Sequence, residues 1–335
     1  MCGIAGYVLR HGRPKYEDLI AMAEAQSHRG PDNHAVKIAG QAGFAHNRLA
    51  ILDVSDAANQ PFFDDRYILS YNGEIYNYLI LREALEQDGV VFRTTSDTEV
   101  LFYALIRWGL DQTLRRIQGM FSFSFHDTSD KVTYLCRDHF GIKPLHWINR
   151  PEGIYWASEV KALSAVLPIE PDPVITLFSV TSIGEASDHY TVFKDVNHIL
   201  PGTYVVIDQK KGLTPRSVEY FHIANLIDSD YYHELDSLSR QEIVSRFRAL
   251  FEEAVRKMLV SDVPIGAFVS GGIDSSLVAA YARKHNPELN LFTANVLGRF
   301  SELEDAKLLS RVISAPLHDY PFKPEMFIRD WTTTT

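Results

Sequence analysis

Two stretches of this chain hold side chains that could form a covalent bond or cradle an anion. The first is Cys2, beside the start. Removal of Met1, which a small second residue permits, would put a thiol and an α-amine on one carbon. The amine titrates near ~7.7 and a free thiol near ~8.5, so the amine can take the thiol proton close to neutral pH. The thiolate is the nucleophile, and no separate histidine base is required. Position alone favours an ordinary buried cysteine. The second stretch is Ser270-Gly271-Gly272-Ile273-Asp274-Ser275-Ser276. It follows an apolar strand and opens a helix, which offers backbone N–H groups to an anion. Its glycines let the backbone close on phosphate oxygens, and its serine hydroxyls add donors. Asp274 would repel phosphate unless a cation intervenes, so it reads as a Mg2+ ligand. The string lacks the terminal lysine of the GxxxxGK[ST] loop.

The elements that must position these residues differ between the two halves. Short apolar strands are expected at Ile4–Leu9, Phe44–Leu52, Tyr67–Tyr71, Met120–His126 and Val132–Cys136, the last two joined by a hairpin loop at Asp127–Asp130. Leu19, Met22 and Ala23 share a helical face, as do Val100, Ala104 and Trp108. This mixture suggests sheets with helices on their faces. Residues from about Leu167 to Asp236, punctuated by Pro168, Pro171, Pro173, Pro201 and Pro215, look like a connector. Beyond it Ile243, Phe247, Leu250, Phe251, Ala254, Val255 and Met258 fall at helical spacing. Strand Ile265–Val269, a helix to Lys284, strand Leu291–Val296 and helix Leu303–Ile313 then alternate, the signature of a parallel α/β sheet.

Composition narrows the function classes. With 335 residues, 46% of them hydrophobic, the chain can bury a sizeable core and two domains are expected. Acidic residues outnumber basic ones 43 to 33, which argues against a nucleic-acid partner. Two cysteines, Cys2 and Cys136, give no disulfide framework and suit a reducing compartment. No apolar run reaches the roughly 20 residues of a membrane span. The start lacks the basic region of a signal peptide. A cytoplasmic location without membrane contact is the expectation.

Seven segments together outweigh the bland reading of Cys2. They are Met1-Cys2-Gly3-Ile4-Ala5-Gly6, His28-Arg29-Gly30-Pro31-Asp32, the stretch from His46 through Arg48 to Asp53, and Asn72-Gly73-Glu74-Ile75-Tyr76-Asn77. Ser96-Asp97-Thr98-Glu99, Gly119-Met120-Phe121 and the stretch from Arg137-Asp138 to Lys143-Pro144-Leu145 complete the set. In these the chain resembles the class II glutamine amidotransferases, the N-terminal-nucleophile glutaminases. The resemblance implies an α+β fold, a four-layer α-β-β-α sandwich. It implies that Cys2 attacks the amide carbon of glutamine, with the Asn72 side-chain amide and the Gly73 N–H as oxyanion donors. Such donors contribute on the order of ~3 kcal/mol each, and Gly73 would let a ligand approach its backbone. Arg48 would hold the glutamine carboxylate through its planar fork, and Asp97 and Glu74 would meet the α-ammonium. His28 and His46 are expected to be structural, and Cys136 a core residue.

The second stretch resembles the pyrophosphate loop of enzymes that split ATP between the α- and β-phosphates, an adenine nucleotide α-hydrolase-like fold. A class II glutaminase followed by SGGxDSS is the arrangement of the asparagine synthetase family. Ala157-Ser158-Glu159-Val160-Lys161-Ala162-Leu163 and Ser261-Asp262-Val263-Pro264-Ile265-Gly266 agree with it. The resemblance implies ATP and Mg2+ as cofactors and an ATP site made by Ser270, Gly271, Gly272, Asp274, Ser275, Ser276 and the backbone near Phe268. It also implies an internal ammonia channel. The expected organisation is a glutaminase domain at 1–200, a connector at 201–236 and an ATP-binding domain at 237–335. The family's second ATP-site motif does not occur before Thr335, so that domain is expected to be incomplete. A fragment, a partner chain that completes it, and loss of synthetase activity all stay open, as does a homodimer. The leading expectation is amidation of a carboxylate, aspartate by default. Activation of another carboxylate for amidation or ring closure, and a glutaminase subunit with a silent ATP site, are the alternatives.

Overall fold

Period-two alternation governs the first strand, β1 (Gly3–Leu9). Ile4 and Val8 turn to one side, Ala5 and Tyr7 to the other. Both sides are apolar because the strand sits between two layers. The computed structural model describes residues 1–181, 190–296, 301–323, 325–326 and 329. These divide into two compact units, Met1–Asp228 and Ser229–Thr335.

In the first unit β2 (Asn33–Ala39), β3 (Ala42–Arg48), β4 (Phe62–Phe63), β5 (Tyr67–Ile75) and β6 (Gly119–Asp127) follow. After them come β7 (Val132–Arg137), β8 (His146–Arg150), β9 (Gly153–Ala157), β10 (Asn197–His198), β11 (Thr203–Asp208) and β12 (Arg216–Glu219). They make two six-stranded antiparallel sheets, ordered β10-β8-β9-β1-β3-β2 and β12-β11-β7-β6-β5-β4. Ile4, Val8, Phe44, Ile154 and Trp156 of the first sheet meet Ile68, Leu135, Val205 and Ile207 of the second in one cluster. Fully burying a side chain such as Ile4 or Phe44 contributes about 1.5–3 kcal/mol. The outer face of the first sheet packs against α1 (Tyr16–Ala25), through Leu19, Met22 and Ala23 as expected, and against α5 (Val160–Ser164). Beside the second sheet lie α2 (Tyr78–Gln87), α3 (Asp97–Trp108) and α4 (Leu110–Arg116). Phe102 of α3 meets Phe62 of β4 edge to face, with ring centroids 5.1 Å apart. This is the α-β-β-α sandwich.

Local chemistry explains where the observed elements depart from the sequence expectation. The strand expected over Phe44–Leu52 ends at Arg48. The Arg48 guanidinium turns back onto the following loop, where Asp53 takes a φ of 50°. The hairpin between β6 and β7 forms, its turn held by the N–H groups of Ser129 and Asp130 on Asp127 Oδ1 (2.9 and 3.0 Å). The stretch 201–236, expected as a connector, contains β11 and β12 of the second sheet, and β10 lies just before it. Pro201 and Pro215 sit just ahead of these short strands and mask them as loop. The proline-rich region also holds α6 (Pro173–Thr181), and residues 182–189 within it lie outside the described residues.

The second unit holds a parallel sheet, β13 (Gly266–Phe268), β14 (Asn290–Val296) and β15 (Leu317–Phe322), in that order. Its helices are α7 (Ser229–Asp236), α8 (Arg240–Lys257), α9 (Ile273–His285) and α10 (Leu303–Ile313). A capping box closes the start of α8: Ser239 N donates to Glu242 Oε2 at 2.8 Å, and Ser239 Oγ accepts from Glu242 N at 3.4 Å. Val255, Val269, Ala279, Leu291 and Ala306 form the core. The apolar stripe read along α8 is present, but Ile243, Phe247, Leu250 and Met258 are exposed.

Strand packing in the sandwich depends on Gly6. A Cβ there would lie 2.4 Å from Gly43 O and 2.6 Å from the Trp156 ring. Gly6→Ala is expected to cost about 1–3 kcal/mol by overpacking, read as a lowered thermal midpoint.

Candidate active site

Strand parity brings the candidate residues of the first unit together. Cys2 lies two residues before inward-facing Ile4, Arg48 four beyond Phe44, and Asn72 four beyond Ile68. At that end of the sheets opens a cavity of about 230 Å³. Cys2, Arg48, Asn72, Gly73, Glu74 and Asp97 all line it. Met1, Tyr71 and Lys143 line it too.

The nucleophile candidate is held by its backbone and its sulfur. Arg29 Nε donates to Cys2 O at 2.9 Å, and Leu49 N donates to Cys2 Sγ at 3.4 Å. Arg29 is fixed in turn by Glu159, 2.9 Å from its Nη1. His28 and Lys161 also pair with Glu159, at 2.9 and 3.1 Å. Asn72 is 1% exposed, and its Nδ2 has no hydrogen-bond partner among the described residues. A buried donor without a partner costs about 1–3 kcal/mol, so the Nδ2 of this cavity-lining residue is a ready site for an acceptor. The glycine at 73 is also required by a neighbouring strand. A Cβ would lie 2.3 Å from Met120 O, so the close approach is to β6 as well as to the cavity.

Tyr71 ties the walls together. Its N–H donates to Gln60 Oε1 (2.7 Å), its hydroxyl donates to Asp97 Oδ2 (2.8 Å), and its carbonyl accepts from His46 Nε2 across the sheets (3.0 Å). Asp97 is the first residue of α3 rather than its cap. Ser96 caps the helix, accepting from Glu99 N at 3.3 Å, which leaves Asp97 to accept from Ile75 N at 3.0 Å. Both terminal nitrogens of Arg48 are engaged by its own loop: Nη1 by Ser55 O and Asn59 Oδ1 (2.7 and 2.8 Å), Nη2 by the carbonyls of Leu52 and Asp53. Arg48 thereby shapes the wall of the cavity.

Desolvation sets the electrostatics. Burial pushes the Asp97 carboxyl up to about 6, against hydrogen bonds from Ile75 and Tyr71. Glu74 is raised by burial and by the charge of Asp97, and Lys143 draws it back. Burial lowers Lys143, which Glu74 opposes. Burial also raises the Cys2 thiol, countered by Leu49 N–H and by the amino terminus, whose own pKa burial lowers. His46 is fully buried and lowered to about 4, hence neutral and structural. Cys136 is a core residue of β7, with its thiol pushed well up by burial. Arg29 and Lys143 lay inside matched motifs but received no role from sequence. Their signal was the motif membership itself.

The second candidate loop lies in the other unit. Ser270 Oγ and Ser275 Oγ are 3.1 Å apart, and Gly272 N donates to Ser270 Oγ at 3.3 Å. Gly272 caps α9 without a side-chain bond, Gly271 takes a φ of 81°, and Asp274 is exposed in the first turn. A Cβ at Gly271 would lie 2.4 Å from Asp305 Cβ, so α10 brings a second carboxylate residue against the loop. Phe268 at the end of β13 is exposed.

Residues 1–220 match the family model described as glutamine amidotransferase domain, and residues 246–334 the one described as asparagine synthase. Asparagine synthetase [glutamine-hydrolyzing] 1 of Bacillus subtilis (strain 168) is 32% identical over 340 residues, covering 98% of this chain and 51% of that protein. A putative asparagine synthetase [glutamine-hydrolyzing] of Mycobacterium tuberculosis (strain ATCC 25618 / H37Rv) is 33% identical over 344 residues, covering 94% and 51%. The chain spans about half the length of these curated relatives. Among solved structures, the glutamine phosphoribosylpyrophosphate amidotransferase of B. subtilis complexed with ADP and GMP superposes with a TM-score of 0.50 at 14% identity, covering 96% of this chain and 81% of that one. That likeness concerns the fold.

The Glu159 cluster that anchors Arg29 has a pH signature. Burial alone would raise the Glu159 carboxyl, but hydrogen bonds from Arg29, His28 and Lys161 hold it down to about 2. A carboxyl depressed below its unfolded value of ~4.3 stabilises the fold above that value and loses the contribution as pH falls towards 2. Glu159→Gln is therefore expected to lower the urea midpoint at neutral pH, with the gap to wild type narrowing between about pH 4.3 and 2.

Proposed function

The chain belongs to the glutamine amidotransferase domain family, matched over residues 1–220, and from that premise we propose that it is a glutamine-hydrolysing, ATP-dependent amidotransferase. The observation that carries the reading is the partnerless buried Nδ2 of Asn72 in the cavity that Cys2 lines. With Met1 removed, the freed α-amine takes the thiol proton and the Cys2 thiolate attacks the glutamine amide carbon. The Asn72 amide and the Gly73 N–H receive the oxyanion. As the tetrahedral adduct collapses, the α-ammonium returns its proton to the leaving nitrogen, ammonia departs, and a thioester remains. Water then releases glutamate. Glu74 and Asp97 meet the α-ammonium of the substrate. Arg48 serves its carboxylate from the wall that its loop contacts create.

In the second unit the loop Ser270–Ser276 would bind the phosphates of ATP at the start of α9, with the backbone near Phe268 beside the adenine. The acceptor carboxylate is activated as an acyl-adenylate with release of pyrophosphate, and ammonia converts it to the amide and AMP. Aspartate is the default acceptor, by the names of the relatives. The loop suits Mg2+, which binds through one or two carboxylates plus substrate phosphates. Asp274 would hold it, and no cage of three His, Cys, Asp or Glu exists among the described residues. The ion would neutralise phosphate charge that Asp274 alone would repel. No helix of the described residues is long and apolar enough to cross a membrane.

Glutamine hydrolysis and pyrophosphate release, each with and without aspartate and ammonium, test the reading. Cys2→Ala is expected to abolish glutamine hydrolysis and keep ammonium-driven pyrophosphate release. Asn72→Ala is expected to lower kcat for glutamine by about 10²–10³-fold. Pyrophosphate release absent with every acceptor would confine the activity to the glutaminase. A Cys2→Ala variant that still hydrolyses glutamine would overturn the reading altogether.

A further inference from the structure

Lys143 brings a cation into the Cys2 cavity that the proposed reaction leaves unused. The residue is 5% exposed, and its ammonium has no hydrogen-bond or ion-pair partner among the described residues. Its backbone is fixed from two sides. The Asp138 carboxylate accepts from the N–H groups of Phe121 (3.2 Å), Phe140 (3.1 Å), Ile142 (3.0 Å) and Lys143 (2.9 Å). The Arg137 guanidinium donates to the carbonyls of Lys143 (2.9 Å), Gly141 (2.6 Å) and Ile199 (2.8 Å). A loop clamped this tightly has little freedom to carry the ammonium out of the cavity.

The charged groups that face the ammonium are Glu74, Cys2 and Asp138 on the negative side, and Arg29 and the Met1 amino terminus on the positive side. Of the other cations nearby, Arg29 is paired with Glu159 and bonded to Cys2 O, whereas Arg48 is held by neutral carbonyl oxygens that fix its place and leave its charge, which favours the Cys2 thiolate as well. A cation beside a thiol favours the thiolate, and beside an amine it disfavours the ammonium. We propose that Lys143 is a positioning residue that acts through Cys2: its unpaired charge stabilises the thiolate. This rests on the glutaminase reading of the cavity.

The test is the pH dependence of Cys2 alkylation by iodoacetamide, read by mass spectrometry of the Cys2 peptide, on the chain trimmed of Met1. Lys143→Met is expected to raise the pH of half-maximal alkylation by about one unit, making the reaction roughly tenfold slower near neutral pH. Lys143→Arg is expected to follow wild type. The thermal midpoint of Lys143→Met should equal or exceed that of wild type, because the cavity-lining ammonium has no hydrogen bond or ion pair to lose among the described residues. A Lys143→Met profile superimposed on wild type, a Lys143→Arg profile displaced as far as that of Lys143→Met, or a lower midpoint for Lys143→Met would each overturn the proposal. Because alkylation needs no glutamine, the two readings fail separately. A wild type that alkylates readily yet leaves glutamine intact sinks the proposed function, whereas an unchanged Lys143→Met profile sinks only the role of Lys143.

Discussion

Two sheets packed face to face can admit a ligand between them only where their strands run out. Everything chemical in the first unit follows from that restriction. Along the middle of the interface Ile4, Phe44, Ile68 and Trp156 fill the space, and Gly6 lets the Trp156 ring lie against the backbone. Past the last of these residues the same strand parity delivers Cys2, Arg48 and Asn72 instead. Polar groups so placed are cut off from water and need partners. Gln60, Tyr71 and Asp97 find them in one another and in neighbouring backbone. Asn72 Nδ2 does not, and that asymmetry singles it out.

Withdrawal from water also sets the character of the cavity. Two carboxylates, a thiol and an ammonium share a small volume, and burial shifts each towards its neutral form. Each group is thereby made sensitive to its charged neighbours, since interactions strengthen as the surroundings become less polar. A zwitterionic amino acid suits such a lining better than a singly charged ligand, because it brings both signs and leaves the total unchanged.

Much of this was legible in the sequence. Cys2, Asn72, Gly73, Glu74 and Asp97 stood in motifs whose order implied the sandwich, and α1, α10 and the β6–β7 hairpin followed from periodicity and turn chemistry. Other features were hidden for physical reasons. β12 has only four residues, and both β11 and β12 follow prolines that read as loop punctuation. The end of β3 depends on a guanidinium folding back onto its own loop, which spacing cannot reveal. The requirement for glycine at 73 comes from β6, dozens of residues away in sequence. Lys143 carried no signal apart from its motif, because only folding isolates its charge.

Tyr71 has a consequence for redesign. It joins His46 of one sheet, Gln60 of a loop and Asp97 of a helix, while its chain neighbour is Asn72. Three walls of the recess are thus hinged on one side chain and its peptide unit. An engineer wishing to lengthen the recess for a bulkier amide could not retreat one wall alone, since the other two would be dragged along. Single substitutions would return mostly damaged variants, and useful ones would come as concerted sets spanning both sheets.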